Sequence, residues 1–260
     1  MAILLLASAN GAPGVTTLAV GLALCWPRPV LLADCDPGAH QAVLAGYLTG
    51  RSAHGKGLLR VAEAHRDRRP LREVVIDQCL PLVDGEGDRR LFLPGFTKPT
   101  SAAHFAGVWE ELADTFDRLA DVDVDVLVDL GRIGPLGLPP ALLERSALNL
   151  LVLRSDLRSV LSARVHLPAL TELRTAAASP SRPGLVLVGP GQPYQAAEIS
   201  KALGPTVLAQ LPHDPAAAAH FSDGAPQHRK FEAAPLLRGL RHAASTLADS
   251  LQRSTELVRS

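Results

Sequence analysis

The chain has few cysteines, no long apolar run and no excess of charge, and each shortage argues against a class of protein. Its three cysteines are an odd number without metal-ligand spacing, which favours reduced thiols over a disulfide framework. No apolar run reaches the roughly 18–20 residues that a membrane-spanning helix needs. The 26 basic and 26 acidic side chains balance, so a dominant surface for nucleic acid is not expected.

Residues 1–9 are apolar and lack the basic n-region of a signal peptide. They run directly into a Gly-containing loop and therefore predict a buried first strand rather than a signal peptide. With no membrane segment in the sequence, we expect a cytoplasmic protein.

Short apolar runs of strand length alternate with helical stretches along the chain. The strands are predicted at 2–8, 29–34, 91–95, 125–130, 148–154, 184–189 and 206–212. Helices are predicted at 16–25, 103–120, 157–176 and 235–258. Continuous Val/Leu runs imply strands covered on both faces, and alternation with helices implies parallel crossovers. The sequence therefore predicts an α/β fold with a doubly wound, mostly parallel sheet and helices on both faces, as one domain over residues 1–260.

Two segments need separate interpretations. Residues 50–90 are polar, Gly-rich and charged, and predict surface helices and loops. The predicted last helix has one leucine stripe, formed by Leu236, Leu240, Leu247 and Leu251. This stripe could contact a membrane surface, but packing on the domain is favoured because the helix lacks Trp and Phe and has few arginines.

Three predicted strands end in residues suited to a nucleotide and Mg²⁺. The first is followed by "NGAPGVTT" (10–17), the second by "DCDPG" with Asp34 and Asp36, and a later one contains Asp129. Ligands in such sheets bind beyond the carboxyl ends of the strands. Backbone amides, a threonine hydroxyl and carboxylates are the groups that phosphates and Mg²⁺ require. Alternatives without a ligand remain open. Thr16 and Thr17 could simply cap the helix, Asp34 and Asp36 could cap a turn, and Asp129 could have a structural role.

These segments together resemble the ParA/MinD group of P-loop ATPases, whose deviant Walker A box is written KGGxGK[ST]T. The matching stretches are 10–17, 30–39, 91–99, 126–131, 150–163 and 207–215, and the resemblance covers about residues 1–225. It implies a P-loop NTPase-like fold with ATP and Mg²⁺ as cofactors. The cofactor-binding residues it implies are Asn10, Gly11, Ala12, Pro13, Gly14, Val15, Thr16 and Thr17. It also implies Thr16, Asp36 and Asp129 as Mg²⁺ ligands, and Asp34 and Asp129 as catalytic residues with weak or vestigial activity.

The sequence departs from this family at the phosphate site. The two phosphate lysines of the family correspond to Asn10 and Val15, Pro13 has no amide hydrogen, and the segment after Gly184 lacks the expected adenine-binding Asn. Each lost donor of this kind is worth on the order of 10²–10³ in rate. We therefore expect ATP hydrolysis to be weak or absent, unless an arginine such as Arg132 or Arg154 replaces a lysine.

The loop "GAPGVTT" is similar to that of the CpaE/TadZ branch, whose members act in pilus and secretion systems. The resemblance therefore implies a positioning, scaffold or regulatory factor of a pilus, secretion or cell-division apparatus. Its partners would be proteins of that apparatus, a homodimer is possible, and DNA is not an expected partner. The alternative is a slow but active ATP-dependent ATPase in partitioning or polar localisation.

Overall fold

A computed structural model describes residues 3–9, 14–85, 89–134, 137–176 and 183–259. Four of the loop residues that the sequence predicts to bind a cofactor (Asn10, Gly11, Ala12 and Pro13) lie outside the described residues.

An eight-stranded sheet forms the centre of the molecule. Its strands are β1 (Ile3–Ser8), β2 (Val30–Asp34), β3 (Leu80–Pro81), β4 (Arg90–Leu93), β5 (Asp125–Arg132), β6 (Ser146–Arg154), β7 (Pro183–Val188) and β8 (Val207–Leu211). They lie in the order β3-β4-β2-β5-β1-β6-β7-β8. Every pairing is parallel except that of the edge strand β3 with β4. The doubly wound, mostly parallel sheet predicted from the sequence is confirmed.

Helices connect the strands and cover the sheet. They are α1 (Val15–Cys25), α2 (Ala42–Ala45), α3 (Leu58–Arg66), α4 (Leu71–Val74), α5 (Pro99–Ala103), α6 (Trp109–Arg118), α7 (Pro140–Arg145), α8 (Leu157–Ala176), α9 (Ala196–Leu203), α10 (Pro215–Asp223) and α11 (Pro235–Arg259). Short 3₁₀ turns follow α4 and α6 and precede α11.

The two faces of the sheet carry separate apolar cores. In β1, the residues Ile3 and Leu5 pack into one core and Leu4 and Leu6 into the other. The first core lies under α3, α4, α6, α7, α8 and α9, and the second lies under α1, α10 and α11. Successive strand side chains point to opposite faces, so a strand covered on both sides must be apolar throughout. This requirement explains the uninterrupted Val/Leu runs of the sequence.

The leucine stripe of α11 is fully buried in the second core, where it packs with α1 and the sheet. Its close fit depends on Gly21 of α1, because a Cβ there would lie 2.6 Å from Leu240 Cδ1. The preference for packing over membrane contact is therefore confirmed for this stripe. Among the described residues, no helix combines the length and the hydropathy that crossing a bilayer requires.

A buried carboxylate fastens the start of β5 to the end of α1. The Asp125 side chain is fully buried, and its Oδ2 accepts hydrogen bonds from Trp26 Nε1 (2.8 Å) and Arg28 Nε (2.8 Å). The same guanidinium donates to the Ala248 carbonyl oxygen of α11 (3.2 Å). The Arg28 side chain thus connects β5 of the sheet to α11, and Trp26 connects the same carboxylate to the end of α1.

Two predictions about elements were wrong in detail. The helix predicted at 103–120 begins later, as α6 at Trp109, because a turn at 104–108 separates it from the short helix α5, which ends at Ala103. The rings of Phe96, Phe105 and Trp109 pack edge to face across that turn. This packing buries Phe105 in the core, and the helix is interrupted there. The polar segment 50–90 does contain exposed helices, but the inner sides of α3 and α4 are core, and its edge strand β3 was not predicted.

Candidate functional site

The described part of the predicted phosphate loop ends at the start of α1. Gly14 is the N-cap residue, and its φ of 90° lies in the left-handed region that favours glycine. No side chain caps the helix at this residue, so Thr16 and Thr17 belong to the first turn and are not the N-cap. Both threonines are half-buried.

Val15, which stands in the place of the P-loop lysine, is 6% exposed and belongs to the second apolar core. It packs in the same cluster as Leu18 and Leu22 of its own helix. The side chain is therefore part of the interior, and it supplies no charge to the site.

The carboxyl ends of β2 and β5 bring three aspartates together. Asp34 and Asp129 are directly paired in the parallel register of these neighbouring strands. The Asp36 amide donates to Asp34 Oδ1 (3.2 Å), and the Gly131 amide donates to Asp129 Oδ1 (2.9 Å). Asp36 is held in turn by the Gly38 amide and by His40 Nδ1, each 2.8 Å from one of its carboxylate oxygens.

Two glycines make room for this cluster. A Cβ at Gly131, whose φ is 58°, would lie 2.3 Å from Asp36 Cγ. A Cβ at Gly95 would lie 2.6 Å from Asp34 Cγ and 2.7 Å from the Asp34 carbonyl oxygen. Both distances are far below van der Waals contact, so the placement of the carboxylates requires glycine at both positions.

Burial dominates the electrostatics of the cluster. Burial, followed by repulsion from Asp129, raises the pKa of Asp34 to about 8, although the hydrogen bond from the Asp36 amide partly opposes the shift. Burial also raises the pKa of Asp129 to about 6, against the lowering effects of the Thr16 hydroxyl and the Gly131 amide. At neutral pH Asp34 therefore keeps its proton, whereas Asp129 has largely lost its own.

One carboxylate oxygen of the cluster is available for a ligand. Asp129 Oδ2 is buried and has no hydrogen-bond partner among the described residues. The described residues contain no group of three or more His, Cys, Asp or Glu side chains that could hold a metal ion. Mg²⁺ commonly takes only one or two carboxylates and completes its coordination with water and substrate phosphates. The hydroxyl of Thr16 and the carboxylates of Asp36 and Asp129 are donors of the kind that Mg²⁺ prefers.

A cleft of about 380 Å³ opens beside the first turn of α1. Gly14 and Thr17 line it, and its further polar groups come from Arg154, His213, Asp214, Ser222 and Asp223. Apolar walls come from Leu18, Val188, Leu211, Pro212, Leu236 and Leu240. Of the two arginines considered as replacements for a lysine, Arg154 lines this cleft, whereas Arg132 is exposed at the end of β5 and does not line it.

Sequence reasoning placed Thr16, Asp34, Asp36 and Asp129 at one edge of the sheet, and the structure brings them together there. It missed four residues of the site: His40, Gly95, Gly131 and His213. His40 follows Asp36 by four residues in a loop, Gly95 follows β4, and Gly131 is the residue before the last of β5. Those positions could have indicated close approach, but only folding shows which side chain each glycine accommodates.

The overall fold is shared with solved structures. MinD in the MinC:MinD cell division complex of Aquifex aeolicus superimposes with a TM-score of 0.72 at 17% identity, over 96% of each chain. The chain has the fold of the ParA/MinD ATPases. A ParA family ATPase from Chlorobium tepidum matches with a TM-score of 0.70 at 18% identity, over 94% of this chain and 98% of that one. MinD of Pyrococcus horikoshii, determined with Mg-ADP, matches with a TM-score of 0.66 at 18% identity, over 95% of each chain.

At these identities the likeness to ParA/MinD structures establishes the fold and leaves the activity open. No protein-family model matches the chain. No curated protein matches it either. The expected relation to the CpaE/TadZ branch stays a prediction.

Proposed function

We propose that the protein is a cytoplasmic positioning or scaffold factor of ParA/MinD fold, in which ATP hydrolysis is weak or lost. It would act through protein contacts within a pilus, secretion or cell-division apparatus. The burial of Val15 carries the proposal, because the place of the P-loop cation is occupied by a side chain that belongs to the apolar core. The second family lysine corresponds to Asn10.

The charge balance of the site supports the same proposal. Phosphoryl transfer depends on cations that neutralise charge at the β and γ phosphates. The carboxylates of Asp36 and Asp129 add negative charge at this edge of the sheet, and His40 is the basic side chain that the structure places beside them. His40 is already paired with Asp36. Such a site disfavours a triphosphate that arrives without a metal ion.

A bound nucleotide would nevertheless find recognisable partners. Thr16, Asp36 and Asp129 would hold Mg²⁺, and the ion would supply part of the positive charge that the lysines no longer provide. The cleft beside Gly14 and Thr17 offers apolar walls to a base. Asp34, with its raised pKa, would hold a proton near neutral pH.

Isothermal titration calorimetry with ATP and with ADP, each with and without Mg²⁺, tests the proposal together with a phosphate-release assay. We expect no turnover above background, whether or not nucleotide binds. The proposal is wrong if phosphate release is typical of an ATPase and is abolished by Asp129→Ala. Glu172→Gln, an exposed change on α8, is the matched control.

A slow nucleotide-switched ATPase is the second candidate, and the unpartnered Asp129 Oδ2 favours it, since a buried carboxylate oxygen without a donor suits a cation. Under this hypothesis Mg²⁺ and ATP together raise the melting temperature by linkage, and Asp129→Asn removes the increase. An unchanged melting temperature at millimolar nucleotide excludes this candidate. A homodimer remains compatible with both proposals and stays a prediction.

A further inference from the structure

Helix α8 is apolar on two opposite sides. Its inner side packs into the first core through Val160, Ala163 and Leu167. On its outer side, Leu157, Leu161 and Val165 are 55%, 51% and 74% exposed. These three residues are spaced four apart and therefore follow one another along a single side of the helix.

This outer stripe is a concentration, not a scatter, of exposed apolar groups. Six large apolar side chains are exposed among the described residues, and half of them lie on this one helix. The other three (Leu59, Ile76 and Val122) lie on separate elements. Pro168, also exposed, continues the stripe by another turn. Single exposed leucines are ordinary, whereas a contiguous apolar stripe marks an interaction surface.

Arginines border the stripe on both sides. At 100° per residue, Arg158 and Arg164 lie about 60° to either side of Leu161. Both are exposed, and neither forms an ion pair with a described residue. The single carboxylate that shares this side of the helix, among the described residues, is Glu172, near the C-terminal end. The surface is thus an apolar ridge between two unpaired cations.

We propose that the outer side of α8 docks an amphipathic segment of a partner protein whose apolar residues are flanked by Asp or Glu. Burial of Leu157, Leu161 and Val165 would supply the affinity, and pairing with Arg158 and Arg164 would select acidic partners. A second copy of this chain is disfavoured as the occupant. Two copies packed through the same stripe would bring the arginines of one against the arginines of the other, because both borders are basic.

The docking surface lies next to the candidate nucleotide site. Ser162 Oγ, on α8, donates a hydrogen bond to the Ala9 carbonyl oxygen (2.9 Å), and Ala9 immediately precedes the loop of residues 10–13. Arg154, three residues before α8 begins, lines the cleft beside Gly14. The inference rests on the proposed function, since a positioning factor must hold a partner.

Selection of a phage-displayed library of random peptides on the full-length protein tests the proposal, with the Leu161→Asp variant used to deplete unrelated binders. We expect the enriched peptides to share apolar residues at helical spacing and an excess of Asp and Glu. A fluorescein-labelled enriched peptide, measured by fluorescence anisotropy, should bind Leu161→Asp at least about tenfold more weakly than the unaltered protein. Leu59→Asp, a matched exposed leucine on α3, should leave its affinity unchanged.

Charge selection gives an independent measurement. The double variant Arg158→Glu, Arg164→Glu should lose the acidic peptide and bind its Lys-substituted counterpart instead. Enrichment of basic peptides, or no enrichment that depends on Leu161, overturns the proposal. The proposal is also overturned if the protein self-associates in sedimentation velocity, or binds anionic phospholipid vesicles, and Leu161→Asp abolishes that association or binding. These measurements use no nucleotide, so failure of the peptide test can be distinguished from failure of the nucleotide titration. Circular dichroism melting establishes that each variant is folded.

Discussion

Asp34 and Asp129 lie opposite each other at the ends of neighbouring parallel strands, both buried, and neither carboxylate has a cationic partner in an ion pair with a described residue. Burial raises the pKa of both carboxyl groups, and repulsion from Asp129 adds to the shift at Asp34. A metal ion with a phosphate ligand would relieve this repulsion. The aliphatic side chain of Val15 cannot relieve it. Substitutions at Asp34 and Asp129 are therefore the most informative tests of the site.

The stability of the protein should depend on pH through Asp34. Its pKa is raised to about 8, so the folded chain keeps a proton that the unfolded chain has already lost. The resulting contribution to stability is greatest below about pH 4 and disappears as the pH rises to about 8. Asp34→Asn should therefore melt at a higher temperature than the unaltered protein at pH 8, and its melting temperature should change less between pH 5 and pH 8.

Circular dichroism melting over this pH range, without Mg²⁺, provides the measurement. Glu172→Gln, an exposed carboxylate on α8, is the control and should follow the unaltered protein. An Asp34→Asn protein that is less stable at pH 8, with an unchanged dependence on pH, would contradict the raised pKa.

Gly131 should tolerate no side chain. Alanine there would adopt a left-handed φ of 58° and place Cβ 2.3 Å from Asp36 Cγ, so the carboxylate would have to move. We expect Gly131→Ala to lower the free energy of unfolding by about 1–2 kcal/mol or more from the backbone conformation alone. Urea denaturation measures the loss. Gly134→Ala, where no heavy atom lies within 4 Å of the added Cβ, should be close to neutral. Equal effects of the two changes would show that Asp36 is not held as described.

Restoring both cations should restore some catalysis if the carboxylates and Thr16 retain the rest of an ATPase site. The double variant Asn10→Lys, Val15→Lys is expected to raise Mg²⁺-dependent phosphate release by about 10² or more, because each cation stabilises charge in the transition state. Adding Asp129→Ala to this variant should remove the gain. A double variant that folds and binds Mg-ATP without hydrolysing it would show that more than the two lysines has been lost.

The buried Asp125 should matter for stability rather than for the site. Asp125→Ala leaves the Trp26 indole N–H buried without its acceptor, and we expect a loss of about 1–3 kcal/mol in the free energy of unfolding. Arg28→Ala should lose less, about 1 kcal/mol or under, because that side chain is 24% exposed and its pairing is partly screened. Urea denaturation compares the two. Unaltered phosphate release and nucleotide binding in both variants would separate this structural role from that of Asp129.

Sequence reasoning succeeded where one residue pattern has one structural cause. The Val/Leu runs of β1, β2 and β5 required two covered faces, and the leucine spacing of α11 required one buried side. It failed at α5 and α6, because the apolar spacing of residues 103–120 continues through a turn that aromatic packing imposes. It also missed β3, whose two residues carry no periodicity and pair only because β4 offers a free edge.

The sequence by itself determined seven of the eight strands, their mostly parallel, doubly wound arrangement, and the absence of lysine from positions 10 and 15, because periodicity and residue identity are local properties of a chain. Only the tertiary structure decided that Val15 belongs to the core, that Gly95 and Gly131 admit the carboxylates, and that the outer side of α8 stays uncovered. These facts depend on contacts between residues that are far apart in the sequence, and a local residue pattern does not specify such contacts.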